Sequence, residues 1–78
     1  MQRSGLIQFI QTNLLRDQGT IDADESLIDR GIVDSIGLMQ LMQFIETNEG
    51  IRIPDHMVIP ENFQSVTAIE QMVEKLRS

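Results

Sequence analysis

Three stretches of this sequence space their apolar residues by threes and fours, and none alternates for long enough to build a sheet, so the chain is directed to an all-α fold. The first stretch runs from about Arg3 to Arg16, with Leu6, Phe9, Ile10 and Leu14 on one stripe and Gly19 as a stop beyond it. The second opens at Asp34-Ser35, where either side chain can accept bonds from the orphan amides of a first turn. Stepping at about 100° per residue puts Leu38, Leu41, Met42 and Ile45 on one face, and Ile36, Met39, Gln40 and Gln43 on the other. Gly50 reads as the residue just past this helix, with Ile51 closing a Schellman end. The third follows Ser65 as a cap and carries Val66, Ile69, Met72, Val73 and Leu76.

The connections are as informative. Ile51-Arg52-Ile53-Pro54 alternates but has no partner segment, and is expected to be an extended connection. Pro60-Glu61-Asn62-Phe63 reads as one helical turn, with proline at its first position and an acid beside it. The loop from Asp17 to Asp34 holds six of the twelve acids and a single base, Arg30. Its Ile21, Leu27, Ile28, Ile32 and Val33 are expected to pack down onto the helices, and Gly31 stands where positive φ is needed. The sum is a small four-helix bundle of three main helices plus one short helical turn, a single domain over residues 1–78.

With no cysteine among 78 residues, disulfides, thiolate metal sites and cysteine nucleophiles are removed together, and the fold must stand on packing. A formal net charge of −6 argues against nucleic-acid partners, which need a basic footprint, and against anionic membrane surfaces. No apolar run can span a bilayer, and Met1-Gln2-Arg3 leads into no signal-peptide core, so no membrane insertion and a cytoplasmic location are expected. A monomer is expected too. Any charge-steered partner should present basic patches.

Catalysis by the chain itself finds no support. The single histidine, His56, lies beside Asp55 in a polar segment, and no base stands near a serine to make a triad. Asp22, Asp24 and Ser26 mimic the opening of a calcium loop, but Leu27 and Val33 occupy the positions where glycine and glutamate are required, so no metal site is assigned. Asp22, Asp24 and Glu25 are instead expected to repel one another and weaken the fold.

One string holds more information: Leu27-Ile28-Asp29-Arg30-Gly31-Ile32-Val33-Asp34-Ser35-Ile36-Gly37-Leu38. It resembles the signature of the acyl carrier proteins, in which Asp-Ser and an aliphatic residue open a helix after an acidic, glycine-bearing loop. The segments Ile51–Pro54, Pro60–Phe63 and Ser65–Ile69 are similar to that family's C-terminal half, so the resemblance covers nearly the whole chain. It implies that Ser35 takes a 4'-phosphopantetheine arm from coenzyme A, attached by a phosphopantetheinyl transferase. The chain would then be no enzyme but a carrier, holding an acyl, aminoacyl or aryl group as a thioester for a loading enzyme and downstream pathway enzymes. It also implies partner contacts at Asp34, Ile36, Met39 and Gln43. The Gly-Ile-Val-Asp-Ser wording resembles free-standing carriers of specialised pathways, including the D-alanyl carriers. The residues alone leave two alternatives open: Ser35 as a simple helix cap, and the chain as an unmodified helical adaptor binding through Ile36 and Met39.

Two features depart from the family pattern. The second helix has only Glu46 and Glu49 as acids, with Gln40 and Gln43 before them. Glu49 also falls on the core stripe where an aromatic residue is common. Burying an unpaired carboxylate is costly, so the helix is expected to end early and let Glu49 swing out. Gly37, a poor helix former, reads in two ways: it leaves space for an arm or a partner, or it is simply tolerated near a helix end.

Overall fold

A computed structural model describes residues 2–15 and 19–77. Its elements are α1 (Arg3–Ile10), α2 (Ser35–Glu49), α3 (Pro60–Phe63) and α4 (Val66–Arg77), and no strand forms among the described residues. Each main helix turns its apolar stripe inward. Leu6 and Ile10 of α1, Leu41 and Ile45 of α2, and Val66, Ile69, Met72 and Val73 of α4 meet around Phe63 of α3. Burial of such side chains, at ~1.5–3 kcal/mol each, is the main driving force for a bundle this small.

The caps fall where the residue chemistry places them. Gly50 adopts φ 64, and the amides of Gly50 and Ile51 both reach the Glu46 carbonyl, the Ile51 bond being the six-to-one closure of a Schellman end. Ser65 accepts a hydrogen bond from the Ala68 amide at 3.0 Å and so caps α4. Gly31 takes φ 74 in the loop, a backbone conformation that strains any residue with a Cβ.

The first helix differs from expectation. Regular α geometry ends at Ile10 and the chain continues as a π-helical turn over Gln11–Leu15. The Asn13 side-chain amide donates to the Phe9 carbonyl at 3.0 Å, taking an acceptor that an α-helical backbone amide would use. Arg16 lies outside the described residues. Gly19 follows without positive φ, and its carbonyl accepts the Gln11 side chain at 3.4 Å.

The acidic loop is tied down. The Leu27 amide donates to the Gln64 carbonyl at 2.7 Å, and the Leu27 carbonyl accepts from both Ile32 and Val33. The Thr67 amide and hydroxyl reach Ala23 and Asp24, at 2.9 and 2.7 Å. Ile21, Leu27, Ile32 and Val33 are buried as expected, whereas Ile28 points outward. The expected repulsion among the loop acids is relieved in part. Glu25 pairs with Arg30, whose hydrogen bond holds the Glu25 carboxyl below the ordinary range, and Asp24 is bonded to Thr67.

Glu49 corrects a second expectation. The helix does not end before it, and its side chain is only 6% exposed, with the Arg77 guanidinium at 2.6 Å and the Asn48 amide at 2.7 Å. The objection to burying a lone carboxylate does not apply, because this one is paired across to the end of α4. After Gly50 the chain is extended through Pro54 and then makes a 3₁₀ turn, Asp55–Met57, whose amide bonds close on Pro54 and Asp55. No helix of the described residues is long and apolar enough to cross a membrane.

Candidate functional site

The head of α2 is fixed from two directions. Asp34, extended at φ −109, is the N-cap, and its side-chain oxygen accepts the Gly37 amide at 2.8 Å. The Leu38 amide reaches the Asp34 carbonyl at 2.7 Å, the first bond of the helix. The Leu27 knot ahead of Asp34 sets the direction from which the chain enters. Ser35 therefore stands at the first helical position, exposed, and its hydroxyl makes no hydrogen bond among the described residues. Of the two candidate caps it is Asp34 that does the capping, which leaves the Ser35 oxygen free for chemistry done by another protein. A phosphodiester placed there would meet unpaired amides and the positive end of the helix dipole, worth ~0.3–1 kcal/mol.

Gly37 proves to be a packing requirement of this cap. It is buried, and a Cβ at that position would lie 3.2 Å from the Asp34 carboxylate oxygen and 3.4 Å from Leu14.

Beside the serine lies an apolar cleft of about 230 Å³, walled by Ile28, Val33, Leu38, Val58, Ile59 and Phe63. Asp34 and Ser35 share this cleft. Ile36 and Met39 stand clear of it on the outer face of α2, 69% and 70% exposed, as the helical wheel places them. Gln43 is exposed on the same helix but belongs elsewhere, to a groove of about 570 Å³ with Phe9, Asn13 and Phe44. The Phe9 and Phe44 rings stack there with centroids 4.2 Å apart. His56 lies exposed on the 3₁₀ turn and lines none of the cleft at Ser35.

Two contributors to the cleft were missed from the sequence. Ile28 reads from the sequence as a core residue, and Ile59 falls on none of the helical stripes. The signal for Ile59 is an apolar Val58-Ile59 pair placed just ahead of Pro60, in a segment too short to bury it. The acids of α2 are occupied internally. The Glu46 carboxylate accepts the Ile53 amide at 2.8 Å, and Glu49 is held by Arg77 and Asn48. Burial alone would raise the Glu49 carboxyl, but the bonds and positive charge around it prevail and hold it below its ordinary value of 4.5.

The family model described as "Phosphopantetheine attachment site" matches residues 4–73. The chain is 37% identical over 60 residues to aminoacyl carrier protein 2 of Bradyrhizobium diazoefficiens, a match spanning 72% of this chain and 66% of that protein. It is 35% identical over 54 residues to the D-alanyl carrier protein of Streptococcus pyogenes, spanning 69% and 68%. Among solved structures, it superposes with a TM-score of 0.83 and 31% identity on a chain in a crystal structure of an FAD-dependent dehydrogenase, covering 90% of this chain and all of that one. A second is the structure of Bradyrhizobium japonicum glycine:[carrier protein] ligase complexed with glycylated carrier protein, with a TM-score of 0.72, 29% identity, and 90% and 96% covered.

Proposed function

This chain belongs to the acyl carrier protein family, whose members hold an intermediate as a thioester on a phosphopantetheine arm, and on that premise we propose that Ser35 is the residue that takes the arm. One observation carries the assignment. The Ser35 hydroxyl is exposed and unbonded at a helix head that Asp34 already caps. The hydroxyl needs no activation by this chain, because a phosphopantetheinyl transferase brings its own base and supplies coenzyme A. A carrier has only to offer an oxygen that a second protein can surround.

The cargo in this reading is an amino acid. Support comes from the aminoacyl and D-alanyl carriers among the relatives and from the glycylated carrier in the ligase complex. An amino acid:carrier ligase is then the loading enzyme, reaching the thiol at the end of the arm, while Asp34, Ile36, Met39 and Gln43 contact partners. The chain acts as a monomer in the cytoplasm, where coenzyme A is available. An unmodified adaptor would have no use for an unbonded serine held at a capped helix head. Intact-mass measurement of the protein purified from its own cells is the test. The expected spectrum shows one phosphopantetheine, with a fraction carrying one aminoacyl group. Protein that remains bare when coenzyme A is plentiful would favour the adaptor.

A further inference from the structure

Ser35 stands between two depressions. The apolar cleft walled by Ile28 and Ile59 lies on one side. On the other begins a depression of about 300 Å³, lined by the neighbouring Asp34, Ile36 and Gly37 and reaching Asn13 and Gln40. Asn13 and Gln40 also border the groove of about 570 Å³ at the stacked Phe9 and Phe44 rings, so the two join as one trough between the first helix and α2. Among the described residues, none that borders this trough is ionisable except Asp34 at its head, in a chain with twelve acids and six bases. Its polar groups are largely carboxamides. The side-chain nitrogen of Asn13 is committed to the Phe9 carbonyl and that of Asn48 to Glu49, which leaves their oxygens as acceptors. Gln40 makes no side-chain hydrogen bond among the described residues and can both donate and accept. The π-helical turn Gln11–Leu15 forms part of the wall through Asn13 and Leu14, and such turns are frequent at functional sites.

We propose that this trough is the resting place of the phosphopantetheine arm between enzymes. The inference rests on the assignment of Ser35 above. The chemistry matches. Beyond its phosphate the arm is uncharged, with two amides and a hydroxyl separated by methyl and methylene groups. Carboxamide side chains pair with those amides, and the Phe9 and Phe44 rings cover the carbon between them. In the apolar cleft on the other side, the same amides would lose water and find no partner. The reach matches too. Phe44 lies about 13 Å along α2 from Ser35, at ~1.5 Å of rise per residue. An arm with the backbone length of roughly five extended residues spans on the order of 16 Å. Tethering favours the arm over any free occupant. A group on a short flexible linker is present at an effective concentration on the order of millimolar, so an intrinsic affinity of only about 1 mM fills the trough half of the time. An enzyme that binds the arm more tightly then draws it out.

The test is nuclear magnetic resonance of the apo and holo proteins, the holo form made with coenzyme A and a broad-specificity transferase and verified by intact mass. Nuclear Overhauser contacts are expected between the arm's methyl or methylene protons and the rings of Phe9 and Phe44, and the Gln40 side-chain amide should shift. The arm's two amide protons should exchange with water at least about twofold more slowly than those of free phosphopantetheine, the value for a trough half filled. Gln40→Ala, at an exposed position, should bring exchange most of the way back to the free rate, while Gln71→Ala, exposed on α4, should leave it slow. Arm contacts to Val58 and Ile59 instead, amide exchange as fast as in free phosphopantetheine, or slow exchange that Gln40→Ala does not move, overturn the proposal. Failure of the underlying assignment looks different: the wild type would take no arm, or Ser35→Ala would still take one.

Discussion

Asp34 and Ser35 are adjacent, both suited to capping, and only one of them caps, so their stability effects should separate cleanly. Asp34→Ala removes the acceptor of the Gly37 amide at the head of a 15-residue helix. Loss of such a cap costs about 1 kcal/mol, within a range of ~0.5–2. For a domain of this size that corresponds to a fall in Tm of about 4–8 °C per kcal/mol. Asp34→Asn keeps an acceptor and should recover most of the loss. Ser35→Ala removes an exposed hydroxyl with no partner, so its effect should stay within about 0.5 kcal/mol of zero, as for ordinary surface substitutions. Thermal melts of the unmodified protein, followed by far-ultraviolet circular dichroism and checked by urea titration, give both numbers. If Ser35→Ala destabilised as much as Asp34→Ala, the serine would be sharing the cap and the argument for a free oxygen would fail.

Three further outcomes follow from other parts of the molecule. Glu49→Gln should destabilise the protein at neutral pH, and the Tm difference from wild type should close as pH falls through about 4.5 and below. The folded-state carboxyl is held lower than in the unfolded chain, so its contribution is present above the unfolded value and lost in acid; a gap that persists at about pH 2 would refute this. Met39→Ala should slow aminoacyl loading more than Glu46→Gln, since the former truncates an exposed apolar contact and the latter alters a carboxylate occupied by the Ile53 amide; loading rates at low and high salt, with melts to confirm folding, would contradict it if Glu46→Gln proved more damaging. Leu41→Ala, at a fully buried position, should cost ~2–5 kcal/mol by leaving a cavity under the outer face of α2, and a melt within a degree or two of wild type would mean that the core is not packed as described.

What could be read from the sequence was whatever periodicity or a single residue type determines. The stripes of α2 and α4, the outward placement of Ile36 and Met39, the Ser65 cap and the positive φ of Gly31 and Gly50 all follow from spacing or from the lack of a Cβ. The rest depended on contacts between distant residues. Glu49 looked like a misfit because Arg77, 28 residues on, is invisible to a helical wheel. At Gly37 the sequence shows only a poor helix former, and nothing in a helical wheel reveals that Leu14 and the Asp34 carboxylate lie against it. The first helix widens over Gln11–Leu15, where the Asn13 side chain donates to the Phe9 carbonyl, and the apolar stripe has no signature for either. Loop residues have no period at all, so the outward turn of Ile28 beside Ser35 could not be separated from the burial of its neighbour Leu27.

The central claim is that one oxygen, that of Ser35, receives the arm. Incubating the purified wild type with coenzyme A and a broad-specificity phosphopantetheinyl transferase, and weighing the intact protein, tests it most directly when Ser35→Ala is run beside it. The account predicts a single phosphopantetheine increment on the wild type and an unchanged mass for Ser35→Ala, with both proteins folded. An increment on the Ala variant, or none on the folded wild type, would contradict it.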